Sequence, residues 1–126
     1  MKKSIVCSAI LLAFAHGPAQ AFSVPLRVSN ALSACVNIHI TDTSIHNNMV
    51  LASTTFQLNK SIAECGCRSA LVGYDSMTSV NTAAQVLQKG LIGVSRSGNK
   101  TLVLASEQTL IADREILLQF HCAPDL

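Results

Sequence analysis

The sequence predicts an all-β fold, two sheets packed face to face, on three observations. Apolar residues recur at every second position over much of the chain, the period of a half-buried strand. Short polar clusters interrupt that alternation often, so the strands are short. Four cysteines lie beyond residue 21 in a chain with four Phe, one Tyr and no Trp. That is the usage of a small exported domain stapled by disulfides.

The first 21 residues, MKKSIVCSAILLAFAHGPAQA, read as a cleaved signal peptide and not as part of the fold. Lys2 and Lys3 form a positive head, and Ser4 to Ala15 is an apolar run. Gly17 and Pro18 break the run, and Ala19-Gln20-Ala21 is a small-x-small cleavage site. The run falls short of the roughly 20 residues needed to span a bilayer. Cys7 sits too early to be a lipidation site. Residues 22–126 are then expected to form one domain. Losing Lys2 and Lys3 from nine Lys and Arg brings the basic count level with the seven Asp and Glu. No basic face remains to argue for nucleic acid, and no second apolar segment is long enough to span a membrane.

The elements follow in order. Phe22, Val24, Leu26 and Val28 alternate with Ser23, Pro25, Arg27 and Ser29, and Pro25 marks an edge strand. Val36, Ile38 and Ile40 give a second strand, with Cys35 out of phase at its entry. Asp42 to Asn48 is polar and reads as a turn. Val50, Ala52, Thr54, Phe56 and Leu58 give a third. Residues 64–74 read as the strand carrying Cys65-Gly66-Cys67, with Cys65, Cys67, Ser69 and Leu71 on one face and Arg68 and Tyr74 on the other. Residues 76–89 read as a connector. Within it, NTAAQVLQKG also fits a short helix, capped by Asn81 or Thr82 and stopped by Gly90. Leu91 to Ser95 and Thr101 to Ala105 flank Arg-Ser-Gly-Asn-Lys, where Gly98 and Asn99 suit the positive dihedrals of a tight hairpin. Residues 106–113 read as a connector with room for one helical turn. The last strand is Glu115 to Cys122, with Ile116, Leu118, Phe120 and Cys122 in phase. Seven short strands suggest an immunoglobulin-like two-sheet β-sandwich. An α+β sandwich with one short helix is the alternative.

Cys35, Cys65, Cys67 and Cys122 allow three pairings. In a strand, Cys65 and Cys67 face the same way at roughly 6.5–7 Å between Cα atoms, near the upper limit for a bridge. Long-range bridges to Cys35 and Cys122 are therefore favoured. Each would contribute on the order of 3–4 kcal/mol by constraining the unfolded chain. A bond between Cys65 and Cys67 needs a kink at Gly66, and would be a strained, reducible redox pair.

Little else points to chemistry. A Zn site favours wider spacings than Cys-Gly-Cys, and His39, His46 and His121 share no spacing, so no metal or other cofactor is expected. There is no thioredoxin-type Cys-x-x-Cys, no Gly-x-Ser-x-Gly and no paired carboxylate motif. Asp42, Asp75, Asp113 and Asp125 fall in segments read as turns. The first strand can pair within its own sheet or be donated to a neighbour, as in pilus assembly, and pairing in its own sheet is expected.

The run NKSIAECGCRSALVGY, with NKTLVLAS and the ending LLQFHCAPDL, resembles a family of small exported bacterial proteins of unknown function. The resemblance implies a signal peptide and a Cys-Gly-Cys domain, with no known activity. Cys65, Cys67 and Arg68 are also similar to a strand-borne Cys-x-Cys-Arg stretch in the periplasmic curli-assembly inhibitors, which are small immunoglobulin-like sandwiches. Cys35 and Cys122 have no counterpart in that likeness. The chain has the size of a minor pilin, but its Ala123-Pro124-Asp125-Leu126 ending lacks the pilin signature.

The expectation is a non-enzymatic, periplasmic or secreted module that binds another protein through a sheet edge. The rival expectations are a thiol–disulfide active protein using Cys65 and Cys67, and a pilus-type subunit or Cys/His metal-binding protein.

Overall fold

A computed structural model describes residues 23–125. The expected signal peptide and Phe22 lie outside the described residues. Seven strands form: β1 (Leu26–Asn30), β2 (Val36–His46), β3 (Met49–Leu58), β4 (Leu71–Val80), β5 (Ala83–Gly93), β6 (Gly98–Ala105) and β7 (Ile116–Cys122). Short 3-10 turns fill Ile62–Cys65 and Gln108–Leu110. The strands make a four-stranded sheet, β1-β7-β4-β5, and a three-stranded sheet, β2-β3-β6. β1 runs parallel to β7 in its own sheet, and every other pairing is antiparallel.

The alternation of side chains explains the core. Ile116, Leu118 and Phe120 of β7 face Val72, Tyr74, Ser76 and Thr78 of β4 across one inner surface. Val50, Ala52, Thr54 and Phe56 of β3 line the other. The rings of Phe56 and Phe120 meet edge to face at 5.8 Å and join the two sheets. The Tyr74 hydroxyl crosses from β4 to donate to the Val103 carbonyl of β6 at 3.0 Å. A Cβ on Gly90 would stand 2.3 Å from the Tyr74 ring, so the ring needs a glycine beneath it.

The two-sheet, seven-strand sandwich is the architecture expected from sequence. Its strand order differs from the immunoglobulin arrangement. Lettered along the chain it reads A-G-D-E and B-C-F, against ABED and CFG. Local readings are corrected in four places. β2 continues through residues 42–46, leaving only Asn47 and Asn48 of the expected turn to reverse the chain, and a register shift between Ile40 and Asp42 absorbs the polar residues. NTAAQVLQKG is neither helix nor connector: Asn81 and Thr82, both at positive φ, turn β4 into β5. The two sides of Gly98 are not a hairpin, since β5 and β6 lie in different sheets and Gly98 itself opens β6. Finally, Cys-Gly-Cys is not on a strand.

Candidate functional site

The Cys-Gly-Cys segment connects the end of β3, in one sheet, to the start of β4, in the other. Ser61 caps its turn, its hydroxyl accepting from the Ala63 amide at 3.3 Å. Gly66 ends it in the left-handed region at φ 91°, and its amide donates to the Ala63 carbonyl at 3.1 Å. This reversal aims the two cysteines apart. Cys35 bonds Cys65, and Cys67 bonds Cys122. Cys35 precedes β2 and Cys122 ends β7, so one tripeptide is tied to the three-stranded sheet on one side and to the four-stranded sheet on the other. Asn59 strengthens the first tie by donating its amide to the Cys35 carbonyl at 2.8 Å. Arg68 is exposed and pairs with Asp125 at 3.2 Å. Cys65 and Cys67 are not bonded to each other, so both bridges must open before that pair can form.

His121, next to Cys122, is held flat on the outer face of β4. A Cβ on Gly73 would stand 2.6 Å from its ring. Its Nδ1 lies 2.7 Å from the Cys122 carbonyl and its Nε2 3.1 Å from Asp75 Oδ2. Lys89 Nζ stands 3.7 Å from the other Asp75 oxygen. Both ring nitrogens are engaged by groups of the chain itself, and the cluster fastens the end of β7 across β4 to β5. His39 and His46 are exposed on β2 and meet neither His121 nor a cysteine cluster. Among the described residues, no three His, Cys, Asp or Glu are grouped to hold a metal. None of their helices is long and apolar enough to cross a membrane.

An open groove lies where β1 and β2, edge strands of opposite sheets, face one another. It encloses about 550 Å³, and its apolar lining residues, Val24, Leu26, Val28, Ile38 and Ile40, share it with the polar Ser23, His39, Thr41, Asp42 and Thr43. Val28 pairs with Leu118 and Ile45 with Val50, and both partners are fully buried core residues. Cross-strand partners share a face, so Val28 and Ile45 point inward. They are nevertheless 40% and 37% exposed. β1 has only five residues and leaves the far half of β2 uncovered. The alternation that makes these residues inward-facing is visible in the sequence. That no strand among the described residues lies beyond them is not.

A disulfide-clasped all-β sandwich with an open groove between two edge strands is the class of protein that these features define. Residues 6–125 match the model of the bacterial family DUF2195, described as an uncharacterized protein conserved in bacteria, and the chain belongs to that family. No curated protein and no solved structure matches it. The likeness to curli-assembly inhibitors rests on Cys65, Cys67 and Arg68, which here sit in and after a 3-10 turn instead of on a strand.

Proposed function

We propose that this chain is an exported, non-enzymatic module of the periplasm or cell exterior that binds an extended segment of another protein in the groove between β1 and β2. The observation that carries the reading is the partial exposure of Val28, an inward-facing residue in a groove bordered by edge strands of both sheets, together with that of Ile45 farther along β2. A segment with alternating apolar residues would satisfy it in two ways. Its backbone would pair with a free strand edge, and its inward side chains would cover the exposed core. The double clasp supports the reading, because it keeps the two sheets registered at one end while the groove stays open.

The test uses the oxidised exported protein and a short peptide alternating valine and threonine. Hydrogen exchange is expected to slow along β1 and β2 on adding the peptide, and Val28→Lys is expected to abolish the effect. A peptide with proline at every third position serves as the control. No protection, or protection confined to β5 and β6, would sink the reading.

A further inference from the structure

We propose a second site, on the outer face of the four-stranded sheet, that binds a carboxylate carried on a short apolar stem. It is separate from the β1–β2 groove and does not depend on it. The cleft is about 240 Å³ and lies over β7 and β4, between the start of β1 and the β4–β5 turn. Met77 and Leu117 are cross-strand partners on this face and form its floor with Ala84. Arg27 and Arg114 stand at its rim with the hydroxyl residues Ser79 and Thr82.

The charges at this rim are unequal. Arg27 is matched by Glu115, its Nε donating to the carboxylate at 2.8 Å. Arg114, the next residue to Glu115, has no ion-pair or hydrogen-bond partner for its guanidinium among the described residues. One cation therefore remains over an apolar floor. A guanidinium presents a fork of N–H donors that matches a carboxylate in a two-point contact, and that fit is stronger than a lone ammonium provides. The floor selects a ligand whose stem is apolar. The volume, just below the roughly 300 Å³ where drug-sized pockets begin, selects a small one. The turn residues contribute too: the Thr82 hydroxyl donates to the Asn81 carbonyl, while Ser79 has no such partner and can donate to the same anion.

The probe is hexanoate, added to the oxidised exported protein with methyl-labelled methionine. Met77 reports the cleft, and Met49, at the start of β3 in the other sheet, is the internal control. Hexanoate is expected to shift Met77 and leave Met49 unmoved, with a dissociation constant on the order of 1 mM. Arg114→Ala, an exposed substitution, should weaken binding about tenfold, and Arg114→Lys should recover only part of it. Hexylamine, with the same stem and opposite charge, should not bind. The proposal is overturned by an unmoved Met77 well above that concentration, by equal binding of hexylamine, or by an Arg114→Ala protein that binds as the parent does. Acetate binding as tightly as hexanoate would overturn it equally, since the floor would then play no part.

Discussion

Tyr74 is the only tyrosine in the chain, and there is no tryptophan, so its absorbance and emission report one core position without interference. Burial raises its phenol above the ordinary value of 10.0. The sign follows from linkage. The fold favours the neutral phenol, so its contribution is complete below the unfolded value of about 10 and is lost as pH rises through the higher folded value. A phenolate titration monitored in the near ultraviolet is expected to lag behind that of free tyrosine, and urea stability should fall across the same alkaline window. In Tyr74→Phe that window should vanish. Ser76, two residues along on the same inner face, is fully buried with an unpartnered hydroxyl. Ser76→Ala removes a desolvated polar group at little cost in volume, and should raise stability by about 1 kcal/mol in urea unfolding. Gly90→Ala should do the reverse, lowering it by about 2 kcal/mol or more, because the new methyl meets the Tyr74 ring.

At the level of elements, Gly66 and the Asn81-Thr82 turn, two of the places where the backbone takes a positive φ, are sensitive joints. Gly66 has open space where a Cβ would stand, so Gly66→Ala tests backbone conformation alone and should cost about 1–2 kcal/mol. Thr82 is a β-branched residue at φ 69° in a two-residue hairpin turn. Thr82→Gly relieves that conformation and should raise the melting temperature. These joints also explain which elements can be read from sequence. β3 and β7 carry long alternations of Val, Ile, Leu and Phe, so period and propensity agree and both are legible. β5 begins Ala-Ala-Gln-Val-Leu-Gln, residues that favour helix, and it is a strand because β4 pairs with it and a tight turn precedes it. Gly98-Asn99 resembles a turn by composition, yet it enters β6 beside Phe56 and Thr55, a tertiary pairing without a local signal. The cysteine segment reads as a strand because Gly66 sits between two residues at strand spacing. The long-range bridges follow from the reversal at that glycine, not from a shared strand face. Nothing local marks the β1–β2 groove, since it depends on which strands end up at sheet edges.

Across the whole molecule, the chain crosses between sheets four times: after β1, β3, β5 and β6. The two disulfides fasten the first crossing to the second, and the second to the last strand, all at one end. Opening each bridge separately, by Cys35→Ser with Cys65→Ser or Cys67→Ser with Cys122→Ser, should lower stability by about 3–4 kcal/mol in chemical denaturation. N-terminal sequencing of protein recovered from the periplasm should begin at Phe22 if residues 1–21 are removed on export. The clasp also imposes a schedule on biogenesis. If the chain is exported N-terminus first, as proposed, Cys35, Cys65 and Cys67 reach an oxidising compartment well before Cys122. For that interval Cys35 has two candidate partners separated by one glycine, and Cys67 has no correct one. Chains truncated after residue 115 should therefore accumulate a mixture of Cys35–Cys65 and Cys35–Cys67 bonds on non-reducing mass mapping, while the full chain resolves to one pattern. On that route, correct pairing would call for disulfide isomerisation as well as oxidation, with the final strand deciding which bonds survive.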